Sequence, residues 1–348
     1  MTGKFQLSVV IPNRNRAHSL VRAVLSVRED SPDCEIIVVD DCSDVDLSAE
    51  YDRLTDMGVR IFRQDTHRRG GAARNRGVRE ARGTHVSFLD SDDVWLRGRA
   101  GRVRGFYAAP GTPRTVMVSN VLLHEDGVIR RPRQPEWRPG SSLVEYVYRD
   151  MGWVQTSMLN LPAGIAREFP WNEALRVNQD TDLVMRMDRA GVGFHMDPEP
   201  GVIKEESRRH DRLSHHVETA DFSYAWYRRE SRDWSPAARA GYHLQDRVWR
   251  LADTGRRAEA FLALARSLAP PVHPRETARR ALSMIVGRDI YARMRGSYHS
   301  RRRVPGAAGG CVAALRTWHD MNARAEAFCD AAQVQEPRQH VAMAGVTG

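Results

Sequence analysis

The chain has 348 residues, 41% hydrophobic and 28% charged, with a formal net charge of +9 and four cysteines. That length and balance fit a soluble globular protein with a large core. They exclude a disulfide scaffold, and no apolar run approaches the roughly 18 residues of a membrane-spanning helix. The excess positive charge is almost wholly arginine, since Lys4 and Lys204 are the only lysines. The arginines are spread along the chain without the interleaved aromatics of a base-stacking surface, so no nucleic-acid partner is expected. Cys34, Cys42, Cys311 and Cys329 show no CxxC spacing and read as reduced thiols. Lys4 precedes a strand-like run rather than the long apolar segment of a signal peptide, and a cytoplasmic protein is expected.

In chain order, 5–11 is a β-branched strand stopped by Pro12, and a polar loop from Asn13 to Arg16 leads to a helix over 17–27. A second strand, 35–39, ends in Asp40-Asp41-Cys42-Ser43-Asp44. A helix over 47–57 and a strand over 59–62 follow. Gly70-Gly71 then opens a helix to Ala81, with backbone N–H groups available to an anion. The strand Val86-Ser87-Phe88-Leu89 runs into Asp90-Ser91-Asp92-Asp93. Strand–helix alternation implies a largely parallel sheet, whose C-terminal edge collects the clusters after Ile11, Val39 and Leu89. Three acids so close repel one another unless a cation sits among them. A hard divalent ion holding a phosphate satisfies that demand, and a solvated acidic turn is the plainer alternative. Neither a Walker loop nor a GxGxxG fingerprint is present.

Four stretches in order resemble the nucleotide-binding half of family 2 glycosyltransferases. They are Ser8-Val9-Val10-Ile11-Pro12-Asn13-Arg14-Asn15, Ile36-Ile37-Val38-Val39-Asp40-Asp41-Cys42-Ser43, Gly71-Ala72-Ala73-Arg74-Asn75-Arg76-Gly77 and Phe88-Leu89-Asp90-Ser91-Asp92-Asp93. The resemblance implies an α/β GT-A fold with a mostly parallel sheet and a C-terminal helical extension. It also implies a UDP-sugar donor held with Mn²⁺ or Mg²⁺. Asp90-Ser91-Asp92 corresponds to the family's DxD motif, with Asp92 the direct metal ligand and Asp90 reaching ribose or a metal-bound water. Asp41 corresponds to the acid that takes the uracil N–H, Pro12 lines the base and Asp40 supports the loop. Arg69 falls near the nucleotide, and Arg74 with Asn75 would fix the loop over the phosphates, although a surface position at a helix start suits Arg74 equally. Arg14 stands where the family more often has Tyr, and Cys42 where it usually has Gly.

Further on, 115–123 reads as a strand with a turn at Glu125-Asp126-Gly127, 130–140 as a loop and 153–160 as another strand. Asp180 begins an amphipathic helix carrying Leu183, Val184 and Met187. Capping that helix is the ordinary use of such an aspartate, and Gln179 and Asp182 are neighbours that could also meet an acceptor. The resemblance makes Asp180 the catalytic base, with Gln179 in place of the usual Glu. It makes His210 a ligand closing over the metal, His215 and His216 being alternatives. Residues 1–100 form the nucleotide-sugar half, 101–215 the acceptor half, 216–333 a helical extension and 334–348 a disordered tail. Within the extension, Ser235-Pro236 starts a helix to about Leu251, and helices over 256–268 and 274–294 follow. Ala307 to Gly310 reads as a flexible joint. The basic run 293–303 could touch an anionic membrane, and the extension could mediate oligomer contacts. The expected activity is inverting transfer of a GlcNAc, Glc or Gal unit to an acceptor hydroxyl, on a polysaccharide precursor or a secondary metabolite such as an aminoglycoside. A nucleotidyltransferase or a non-catalytic nucleotide-sugar binder are the competing readings.

Overall fold

The structure, a computed structural model, describes residues 5–112, 114–207, 218–268, 273–286 and 308–334. Its first half alternates as expected: β1 (Leu7–Asn13), α1 (Ala17–Asp30), β2 (Glu35–Asp40), α2 (Ser48–Asp56), β3 (Arg60–Arg63), α3 (Arg69–Glu80) and β4 (His85–Phe88). The four strands lie parallel in the order β3-β2-β1-β4. Every residue of β1 is buried, and β2 is buried except for Glu35, as befits strands covered on both faces. Each such Val or Ile contributes about 1.5–3 kcal/mol relative to an exposed position.

Pro12 does not stop β1. The strand continues to Asn13, with Pro12 opposite Val39 of β2. The reason lies on the other side of the strand. Pairing with β4 ends at Val10 opposite Phe88, and the Leu89 N–H closes it on the Val10 carbonyl. Pro12, two residues on, has its missing N–H on that vacated side, so no ladder bond is lost.

The second half adds β5 (Val94–Trp95), α4 (Arg99–Ala108), β6 (Thr115–Glu125), β7 (Val128–Arg130), β8 (Leu159–Pro162), α5 (Ala163–Glu168), α6 (Gln179–Arg189) and β9 (Gly193–Glu205). One mixed sheet results, in the order β3-β2-β1-β4-β8-β6-β9-β5, with β7 paired to β6. β8 runs antiparallel to both its neighbours, β5 is antiparallel to β9, and β6 and β9 are parallel. The strand expected over 153–160 pairs with the sheet only from Leu159. Residues 156–158 form a tight 3₁₀ turn, its first N–H groups met in part by the Gln155 side chain. That turn aims the Ser157 hydroxyl at the acidic loop.

The helical part comprises α7 (Thr219–Glu230), α8 (Pro236–Tyr242), α9 (Val248–Asp253), α10 (Arg257–Arg266), α11 (Pro274–Val286) and α12 (Ala308–Val334). Ser235 caps α8 by accepting the Ala238 N–H at 3.0 Å, and a π-helical segment (His243–Arg247) joins α8 to α9. An aromatic cluster fastens this part to the sheet domain. Tyr227 stacks on Tyr242 at 4.0 Å, and Tyr148 on Trp234 at 4.9 Å. A Cβ on Gly241 would lie 1.9 Å from the Tyr148 carbonyl oxygen, so only glycine admits this approach.

The joint expected at Ala307 to Gly310 is not one over 308–310, because those residues form the first turn of α12. Ala314, Trp318, Met321, Ala325, Cys329 and Ala332 are buried at spacings of three and four. That stripe lies against α1 and α2, so the last described helix returns to the first. The basic run 293–303, the tail 335–348 and His210, His215 and His216 lie outside the described residues.

Candidate active site

The parallel strands bring two acidic groups to one sheet edge. Asp41 follows β2, and its N–H bonds the Asn13 carbonyl at 2.8 Å. Its buried carboxylate receives the Gln64 amide and the Arg68 N–H, each at 2.7 Å, and His67 Nδ1 at 2.8 Å. Asp40 is fully buried. It accepts the Ser43 N–H and hydroxyl at 3.1 and 2.5 Å, with Arg63 3.4 Å away. Arg14 reaches across to Asp44 at 2.8 Å and the Cys42 carbonyl at 3.5 Å, so it braces the same loop. Cys42 has φ of +58°, a conformation that explains why glycine suits this position and that costs a side chain about 1–2 kcal/mol.

The acidic loop after β4 is held on all sides. Asp90 pairs with Arg74 at 2.6 Å, and Asp92 with Arg16 at 2.7 Å. The Asp92 carbonyl accepts from Arg22 at 2.5 Å. Ser157 takes the Asp90 N–H at 2.9 Å and donates to Asp93 at 2.6 Å. Asp93 also accepts the Glu205 N–H at 3.1 Å. Burial, reinforced by the charges of Asp92 and Asp90, raises the Asp93 carboxyl well above the usual range. Ser91 is buried within the loop, and Pro12 lies buried in β1 beside it on the same edge. A solvated acidic turn is not what the sequence encodes here.

Arg74 is not a surface residue. It is buried, stacks 4.7 Å over Trp171, and bridges Asp90 to Gln179 Oε1 at 3.2 Å. Gln179 in turn donates to the Leu175 carbonyl at 2.7 Å. An amide can accept from Arg74 and donate to Leu175, which the family's usual Glu could not do. A Cβ on Gly71 would lie 2.9 Å from Gln179 Nε2, so the Gln179 side chain packs against the first turn of α3. Asn75 fixes the segment leading to α6, exchanging bonds with Trp171 N and O at 2.8 and 2.9 Å. Arg69, at φ +71°, has no side-chain partner among the described residues.

Asp180 is the second residue of α6. Its carboxylate accepts the N–H of the next residue, Thr181, at 2.8 Å, while Asn178 occupies the cap with φ of +60° and no side-chain cap bond. It is partly exposed yet largely enclosed by protein. Burial raises its pKa, the charge of Asp90 adds to this, and Thr181 N–H, Arg74 and Lys204 oppose it. Asp182 points elsewhere: buried, it accepts from Arg186 at 2.8 Å and Trp226 at 3.1 Å, tying α6 to α7.

Sequence reading missed Arg16, Arg22, Ser157 and Glu205. None carries a local motif, because each partner lies about 64 to 112 residues away along the chain. Among the described residues no group of three or more His, Cys, Asp or Glu side chains gathers as a metal site. The Asp90 and Asp92 carboxylates nevertheless suit a hard cation that takes its remaining ligands from substrate phosphate and water.

The sequence model of glycosyl transferase family 2 matches residues 8–154. The amylovoran biosynthesis glycosyltransferase AmsB of Erwinia amylovora is 31% identical over 203 residues, covering 56% of this chain and 67% of that protein. The chain belongs to glycosyltransferase family 2. In seven further curated relatives the shared stretch covers 28% to 38% of their length. Among solved structures, S. aureus TarS in complex with UDP-GlcNAc superposes with a TM-score of 0.53 at 13% identity, over 81% of this chain and 92% of that one. The mannosyltransferase PcManGT of Pyrobaculum calidifontis, in complex with GDP-Man and Mn²⁺, also gives 0.53, at 16% identity, over 96% and 88%. This glycosyltransferase therefore has the GT-A fold, and the nucleotidyltransferase and non-catalytic readings are set aside.

Proposed function

We propose that this glycosyltransferase moves a hexose-type unit from a UDP-sugar to an acceptor hydroxyl with inversion, in the assembly of a cell-surface polysaccharide. One observation carries the reading: Arg74 bonds both Asp90 and Gln179, the residue before Asp180, which ties the donor-side acid to the start of α6. The UDP-GlcNAc in the TarS complex supports a UDP-sugar donor, and the part of AmsB in amylovoran biosynthesis supports a polysaccharide product. Asp90 and Asp92 would hold a divalent cation, a reading that the Mn²⁺ in the PcManGT complex supports, and the cation would supply charge neutralisation at the diphosphate.

The residues of the chain divide the work. Asp41 and Pro12 would take the base, with Arg14 and Asp40 bracing the loop that carries Asp41. The N-terminus of α3 and the Arg69 guanidinium at its start would offer positive potential to the phosphates. Asp180 accepts the acceptor's proton as its oxygen attacks. Its raised pKa strengthens it as a base, and Thr181 N–H fixes one carboxylate oxygen while the other stays toward the cleft. A carboxylate on the face opposite the leaving diphosphate gives in-line displacement, hence inversion.

The test is a thermal-shift panel of UDP-GlcNAc, UDP-glucose, UDP-galactose and GDP-mannose, each with Mn²⁺ or with EDTA. A stabilising shift confined to one UDP-sugar with Mn²⁺ is expected. A shift from GDP-mannose alone overturns the donor assignment, and equal shifts in EDTA overturn the metal assignment.

A further inference from the structure

We infer that α12, far along the chain from the catalytic motifs, is part of the donor site, and that Trp318 is the positioning residue through which it acts. The inference rests on the donor-site reading above and extends it to a helix to which no motif points.

Two contact paths lead from one indole to the acidic loop. The first runs through Arg22, a buried cation on α1 whose guanidinium lies 3.8 Å over the Trp318 ring. One of its nitrogens donates to Asn322 Oδ1 at 2.9 Å and the other to the Asp92 carbonyl at 2.5 Å. The second runs through His124, stacked on Trp318 at 4.1 Å and 21°. His124 Nδ1 meets the Glu205 carboxylate at 3.2 Å, and the Glu205 N–H donates to Asp93 at 3.1 Å. Trp318 thus sets the lateral position of both Arg22 and His124; Arg22 holds the backbone of Asp92, and His124 acts on the Asp93 carboxylate through Glu205.

The geometry also excludes simple hydrophobic cover. α12 has an apolar stripe for packing, and Met321 and Ala325 are buried in it without polar atoms to offer the loop's partners. Trp318 and Asn322 instead meet a buried charge, and that charge also bonds a main-chain carbonyl between two site acids. A buried cation held by three fixed partners has one low-energy place, so the carbonyl it grips has one place too. A cation-binding loop needs this, since its carboxylates must not drift when ligand arrives.

The test is calorimetric titration of UDP into full-length protein, with Mn²⁺ or with EDTA. Trp318→Ala should weaken Mn²⁺-dependent UDP binding about tenfold, the equivalent of about 1.4 kcal/mol, and leave binding in EDTA unchanged. Trp318→Phe should restore most of it, because a ring still stacks between Arg22 and His124. Met321→Ala, a truncation on the same buried stripe, should lower the melting temperature but not the affinity. Unchanged affinity in a folded Trp318→Ala protein overturns the inference, as does an equal loss in Met321→Ala. If Trp318→Ala does not fold, Asn322→Ala and Arg22→Lys replace it, and wild-type affinity in both overturns the inference. Wild-type protein that binds no UDP with Mn²⁺ overturns the donor-site reading and the inference together.

Discussion

Asp93 and Asp180 are both carboxylates that burial pushes above their usual pKa, yet they stand in opposite situations. Asp93 is sealed beneath the acidic loop, where Ser157 and the Glu205 N–H take both its oxygens. Asp180 has one bonded oxygen, to the neighbouring Thr181 N–H, and is partly exposed. A raised pKa therefore does not mark the base. Access does, and the same perturbation serves loop architecture in one place and proton transfer in the other.

Isosteric substitutions separate the two duties. The largest effect is expected from Asp180→Asn: steady-state assays should show kcat lower by about 10²–10⁴, with UDP binding close to wild type. A matching loss of UDP affinity would make Asp180 a structural residue like Asp93 and erase the contrast. The next effect is on pH. The base works ionised, so log kcat/KM should rise about one unit per pH unit below the Asp180 pKa and level off above it. Because that pKa is raised, the bend should fall above the ordinary aspartate value of 3.8. A bend at or below that value would show that the cleft does not desolvate the base.

The smallest effect belongs to Asp93→Asn, which mimics the protonated acid. In metal-free buffer, protonation of Asp93 favours the folded state, so its contribution is full below the unfolded pKa and is lost as pH rises through the raised folded pKa. Thermal melts of Asp93→Asn should match wild type in acid and exceed it at higher pH. A variant less stable than wild type across the whole range would show that Asp93 is needed as a charge.

How far the sequence could be read follows the distances between partners. The alternation of strands and helices up to Phe88 and the acidic ends of β2 and β4 were legible, because each is a property of ten or so consecutive residues. So was the start of α6 at Gln179 and Asp180. Arg74 was legible as a motif but not as a bridge, since its partners are Asp90, 16 residues on, and Gln179, 105 residues on. The 3₁₀ turn at Thr156–Met158 was hidden because its apolar neighbours look like strand, and only the need to deliver Ser157 to Asp90 and Asp93 bends it. The first turn of α12 was misread because Gly309 and Gly310 signal a break, which tertiary packing of the later stripe overrides.

The return of α12 onto α1 also has a consequence for how the protein is made. His18 and Arg22 find their partners on Asn322, 304 and 300 residues later. At a synthesis rate of about 5–20 residues per second, α1 and its buried arginine wait about 15–60 s on the ribosome for the helix that covers them. Through that interval the sheet can pair while one flank stays bare, an opening for a chaperone or for a neighbouring nascent chain. The last described helix thus decides when the first one stops being sticky.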